Sequence, residues 1–149
     1  TPEQFDLIFN VNLKSIMNVS QIVAADLLER KLKGNIVNVS SMASHRGVAT
    51  LFLYAASKSA VDSFTKTMAL ELSPKGIRVN AVNPIVVMTE MGIRVSGSKE
   101  NREAILARVP QGKFAEELDV VNGIVFLLSD NSDMINGHML SIEGGFLCC

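Results

Sequence analysis

Apolar residues recur at helical spacing from the start of the chain, at Phe5, Phe9, Ile16, Val19, Val23 and Leu27. This stripe predicts one helix from Thr1 to Lys31. Thr1 suits its cap, Pro2 the first helical position, and Gln4 completes a capping-box pattern. Asn12 takes the stripe position between Phe9 and Ile16. An amide there is either a core group satisfied by neighbouring backbone or a functional one. Asn35 to Val39 is a short apolar run entered from Gly34, which suits a buried strand of a parallel sheet. A second stripe, Ser57, Val61, Phe64, Met68 and Leu72, predicts a helix from Tyr54 to Leu72. Ser73 to Gly76 reads as a turn, Ile77 to Val82 as a second strand, and Pro84 to Thr89 as a loop. A helix is expected from about Ser98 to Val109, ended by Pro110-Gln111-Gly112. Another runs from Leu118 to Leu128, opened by the acidic residues Glu116, Glu117 and Asp119. Asn136-Gly137 turns into a third strand, Met139 to Ile142, before Gly144-Gly145.

Helices alternating with strands predict α/β layering around a parallel sheet. Ligands of such sheets sit at the carboxyl ends of the strands. Ser41 and the Pro84–Thr89 loop both fall at such ends.

Composition narrows the reading. With 149 residues, 48% hydrophobic and 19% charged, the chain fits one packed domain. A net charge of −1 gives no basic excess for nucleic acid or anionic lipid. The longest aliphatic or aromatic run, Ile124 to Leu128, is far short of a membrane span. The only cysteines, Cys148 and Cys149, are adjacent and form neither a disulfide framework nor a metal site. A reducing, cytoplasmic compartment is expected.

Candidate chemistry centres on Tyr54, the only tyrosine. Lys58 lies one helical turn further and shares its face. A free phenol holds its proton up to about pH 10. An ammonium one turn away favours the phenolate and prepares Tyr54 for acid–base work. Ser41 can donate a hydrogen bond to a substrate oxygen. The plainer alternative is a helix surface with an exposed tyrosine and a solvated lysine. A lysine turned toward an apolar stripe is uncommon unless paired.

Taken together, Asn12, Asn38-Val39-Ser40-Ser41, Tyr54-Ala-Ala-Ser-Lys58, Arg78-Val-Asn-Ala-Val-Asn-Pro84, Thr89 and Gly144-Gly145 resemble the short-chain dehydrogenase/reductase family. The resemblance runs along the whole chain. It implies a doubly wound, Rossmann-type parallel sheet, of which residues 1–149 are the C-terminal catalytic part of one domain. Three strands with flanking helices are expected, with the N-terminal βαβ half absent. By the same resemblance, Tyr54 exchanges the proton with substrate and Ser41 polarises the substrate oxygen. Lys58 binds the nicotinamide ribose and eases proton loss from Tyr54. Asn12 holds a water that relays protons from Lys58. Pro84, Val87 and Thr89 meet the nicotinamide, while Val48 and Leu51 line the substrate pocket with Ser41 and Tyr54.

Val86 to Gly92, Gly112 to Glu116, Glu143 to Phe146 and the terminal cysteine narrow the resemblance to one subgroup. It implies NADPH-dependent reduction of a sugar ketone or α-dicarbonyl by a homotetramer. Another reduction on the same residues, of 3-oxoacyl or steroid type, is the nearest alternative. A non-catalytic half-domain is the alternative of a different class.

Three departures bear on this. Ile85 stands where the family usually has glycine. Leu51-Phe52-Leu53 is apolar where a sugar pocket should offer hydrogen bonds. The glycine-rich G-x-x-x-G-x-G phosphate turn does not occur. NADP is therefore implied by the resemblance, and NAD stays open.

Overall fold

The structure is a computed structural model that describes residues 1–148, with Val95 described by its backbone alone. The terminal Cys149 lies outside the described residues. Three strands, β1 (Gly34–Val39), β2 (Ile77–Pro84) and β3 (Met139–Ile142), form a parallel sheet in the order β1-β2-β3. Ile36 is paired with Val79, Asn38 with Ala81, and Val82 with Leu140.

Side chains alternate between the faces of this sheet. Ile36, Ile77 and Val79 point to one face. There they pack with Ala24 of α2 (Ser15–Glu29) and with Ala69 and Leu72 of α3 (Phe52–Leu72). Asn38 shares that face and donates to Thr65 Oγ1 at 2.9 Å, tying α3 to β1. The opposite face carries α6 (Glu117–Leu128). Gly123 lets it lie against the strand, because a Cβ there would stand 2.6 Å from Ile142 Cδ1. Arg78 fixes the far end of α6 by donating to Leu127 O and Ser129 O, both at 3.1 Å. Asn35 of β1 donates to Leu128 O at 2.7 Å.

The first predicted helix is interrupted. It runs as α1 (Pro2–Phe9), a π-turn over Asn10–Lys14, and then α2. The Thr1 capping box forms as its residues suggest. The interruption falls around Asn12, as an i→i+5 bond from Ser15 N to Asn10 O. The expected apolar stripe does not become a buried one. Phe5, Val19 and Val23 are exposed, and α2 buries only Ser20 and Ala24. Small residues let α2 approach the sheet closely, and no element among the described residues covers its larger apolar face.

The buried face of α3 keeps Ser57, Val61 and Leu72 of the expected stripe but is turned toward Lys58, Asp62, Thr65 and Ala69. Ser57, Lys58, Val61, Asp62, Thr65, Ala69 and Leu72 are buried, while Phe64 and Met68 lie at its flanks. Helix α4 (Glu90–Val95) has no counterpart in the sequence reading, and α5 (Lys99–Leu106) is shorter than expected. No helix among the described residues is long and apolar enough to cross a membrane.

Candidate active site

Two connections converge at the carboxyl ends of β1 and β2. After β1, Ser40 N still donates to Val82 O at 2.9 Å, and Ser40 Oγ donates to Lys58 O at 3.1 Å. The chain then tightens into a single 3₁₀ turn, Met42–Ser44, capped by Ser41. Ser41 Oγ accepts from Ala43 N at 3.2 Å, which leaves the hydroxyl proton free to point elsewhere.

Tyr54 sits in the first turn of α3, half-buried, with Lys58 on the same face. Lys58 is only 9% exposed. Its Nζ donates to Val39 O at 2.9 Å and lies 5.7 Å from the centre of the Tyr54 ring. Burial pushes the Lys58 pKa below its usual value, and the Asp62 carboxylate one turn on pulls it partly back up. Lys58 is therefore a paired, partly desolvated cation, and the solvated-surface alternative does not describe it.

Asn12 reaches this face from the π-turn. Its Nδ2 donates to Ser57 Oγ at 3.0 Å, and Ser57 Oγ donates to Tyr54 O at 2.7 Å. The amide is thus fixed to the helix that carries Tyr54 and Lys58. Its partner is a side chain forty-five residues away and not local backbone.

The second connection leaves β2 at Pro84, which is buried. Ile85 is buried and outside the left-handed region, so its side chain strains nothing there. Val87 forms a bridge to Ala115, and Met88 N donates to Ala115 O at 2.9 Å. Thr89 caps α4, its Oγ1 accepting from Gly92 N at 3.1 Å. Gly92 is required by close approach, since a Cβ would collide with Val87 O.

Val48, Tyr54 and Val87 all pack against one apolar cluster built from Met42, Ala43, Ile85, Val109, Ala115 and Phe146. The structure therefore gathers the Ser41 turn, Tyr54, Val48 and the Val87 loop into one place. Leu51 stands outside that cluster as the residue before α3, and Phe52 is 74% exposed. Sequence reasoning missed Phe146, whose ring carries Arg46 at 4.8 Å and Arg108 at 5.1 Å. It also missed Asp62 and Ser44 and gave no role to Asn83, three residues that hydrogen-bond behind Ser41. Asp62 lies four residues beyond Lys58 on the buried face of α3, and that spacing was the available signal.

Comparison with known proteins gives a consistent picture. A family profile described as Enoyl-(Acyl carrier protein) reductase matches residues 1–147. The L-xylulose reductase of Homo sapiens is 52% identical over 149 residues, covering 100% of this chain and 61% of that protein. A protein of Sus scrofa named carbonyl reductase [NADPH] 2 is 50% identical over 147 residues, covering 99% and 60%. The structure of a gluconate 5-dehydrogenase from Burkholderia cenocepacia, in complex with NADP and tartrate, superposes with a TM-score of 0.95 at 30% identity. That match covers 100% of this chain and 58% of the other. The chain spans about 60% of the length of the curated relatives it matches.

Proposed function

The chain belongs to the short-chain dehydrogenase/reductase family, and from that premise we propose that the whole protein is an NADPH-dependent carbonyl reductase. The substrate we infer is a sugar ketone or an α-dicarbonyl, a reading supported by the names of its relatives. The observation that carries it is the packing of Lys58 between Val39 O and the Tyr54 ring, beside the turn that bears Ser41.

The donor set fits the nicotinamide riboside end of the cofactor. Among the described residues, Lys58 spends one of its three N–H donors on Val39, leaving two for ribose hydroxyls. The Thr89 hydroxyl accepts from Gly92 and keeps its proton for a carboxamide oxygen. Pro84 and Val87 carry the backbone that faces the same end. When bound, the nicotinamide supplies the hydride.

The chain's own residues do the rest. Ser41 donates a hydrogen bond to the substrate oxygen, keeping its proton, and stabilises the charge that grows there. Tyr54 delivers its proton to that oxygen as the carbonyl becomes an alcohol. Lys58 presents its charge beside the resulting phenolate. Asn12 is assigned the water through which Lys58 regains contact with solvent protons. Val48 supplies an apolar wall and Leu51 the mouth of the pocket. The exposed apolar face of α1 and α2 is assigned to contact between copies in a homotetramer.

The test is Tyr54→Phe in the whole protein carrying this chain, assayed with NADPH against L-xylulose and diacetyl. Loss of the hydroxyl should lower kcat by about 10²–10⁴-fold, with the circular dichroism spectrum unchanged. Near-normal turnover would overturn the assignment.

A further inference from the structure

Behind Ser41 lies a buried polar cluster that no step above uses. Asn83, the penultimate residue of β2, is fully buried. Its Nδ2 faces Ser41 O at 3.1 Å, Ser44 Oγ at 2.9 Å, and Asp62 Oδ1 and Oδ2 at 3.3 and 3.1 Å. Its Oδ1 is buried with no partner among the described residues. Asp62 is itself buried, on α3 one turn beyond Lys58, and His45 Nε2 stands 3.9 Å from its Oδ2.

The arrangement has a direction. An amide can point either way, and only one way satisfies this site. With Nδ2 toward Asp62, the two N–H groups face acceptors on every side. Reversed, Oδ1 would confront a carboxylate and a carbonyl, and no donor would reach Ser41 O from Asn83. The Asp62 carboxylate therefore selects the orientation, although that leaves Oδ1 unpaired. Ser41 O then receives three hydrogen bonds, from Asn83 Nδ2 at 3.1 Å, from Ser44 Oγ at 2.7 Å and from Ser44 N within the turn at 3.0 Å. Together they hold the peptide that leaves Ser41. That peptide starts the turn in which Ala43 N takes up the Ser41 hydroxyl oxygen.

We propose that Asp62, acting through Asn83, is a positioning residue that aims the Ser41 hydroxyl at the substrate oxygen. The inference rests on the role given to Ser41 above. The Asp62 charge also bears on Lys58, so what marks the positioning role is the part of its effect that disappears with the Ser41 hydroxyl.

The experiment is a double-mutant cycle in the whole protein, at saturating NADPH. Its variants are Ser41→Ala, Asp62→Asn and the two combined. kcat, KM for the carbonyl substrate, NADPH Kd and thermal midpoint are measured for each. A misplacement of the reacting groups by about 1 Å can cost on the order of 10²-fold. Asp62→Asn is thus expected to lower kcat by tens to about a hundredfold at saturating NADPH, where any change in cofactor affinity through Lys58 does not enter. In the Ser41→Ala background the same substitution should cost little more, since its target is gone. An equal loss in both backgrounds, or no loss with Ser41 present, overturns the proposal. If Asp62→Asn does not fold, Ser44→Ala removes a milder member of the same cluster and must show the same dependence on Ser41. Normal turnover in Ser41→Ala would instead defeat the role of Ser41. A crippled Ser41→Ala beside an active Asp62→Asn defeats only the positioning.

Discussion

Helices α2 and α3 pack on the same face of the sheet, and they bury opposite kinds of residue. Against β1 and β2, α3 buries Ser57, Lys58, Asp62 and Thr65 among its apolar neighbours. Helix α2 leaves Val19 61% exposed and Ile22 71% exposed, burying only Ser20 and Ala24. Each buried polar group on α3 is held by a specific partner. Ser57 meets Asn12, Lys58 meets Val39, Asp62 meets Asn83, and Thr65 meets Asn38. Burying such groups costs free energy unless those partners are present. Their presence coincides with the candidate site. The bare valines and isoleucine of α2 make no comparable commitment, and they mark where the chain offers a surface.

If that contrast is sound, the packed helix must respond to truncation and the bare one must not. Leu72→Ala removes buried volume from the α3 side of the core. It should cost about 2–5 kcal/mol, read as a lower urea midpoint at unchanged slope. A loss no larger than that of a surface substitution would show that α3 is not the packed partner of the sheet.

Lys58 sharpens the comparison through pH. Burial lowers its pKa in the folded state, whereas the unfolded chain keeps a value of about 10.4. Below the folded pKa both states hold the proton, and the penalty for a buried ammonium is fully present. As pH rises through the folded pKa toward the unfolded one, the folded state sheds its proton first and the penalty lifts. The stability of the unmodified protein relative to Lys58→Met should therefore rise as pH climbs through the alkaline range below about 10.4. Paired urea titrations at several pH values check this, and a flat or falling difference would contradict the burial argument.

The smallest effect is expected on α2. Ile22→Lys should change stability by no more than about 0.5 kcal/mol. It should also shift sedimentation toward smaller species, because a charge then sits in the face assigned to contact between copies. Unchanged assembly would remove that face from the interface.

The legibility of the sequence followed the same division. Strand β3 matches its expected span, and β1 and β2 differ only at their ends, because a short apolar run is a local signal. Extending β2 to Pro84 brings Asn83 inside the sheet, and only the pairing with β3 dictates that. The Thr1 cap, the acidic start of α6 and the Tyr54–Lys58 face were readable from residues three or four apart. The α3 stripe was read by hydrophobicity, so Phe64 was placed inward while Asp62 and Thr65 were overlooked. What decides their burial is a set of hydrogen bonds to residues more than twenty positions away. Asn12 was flagged by the gap it makes in a pattern, but the π-turn around it was not readable. That turn shifts the register of everything after it, and so the stripe did not continue onto the buried side of α2.

The placement of α3 and α6 on opposite faces constrains the handedness of the chain's path. Both crossovers step the same way across the sheet, from β1 to β2 and from β2 to β3. One passes over the front and the other over the back, so they have opposite hands. Parallel crossovers are right-handed in about 98% of cases, and here only one of the two can be. The longer connection, residues 85–138, leaves the carboxyl end of β2 and carries α4, α5 and α6 before β3. Val87 and Thr89 lie at its start, so the candidate nicotinamide loop and the Tyr54–Lys58 helix belong to two crossovers of opposite hand.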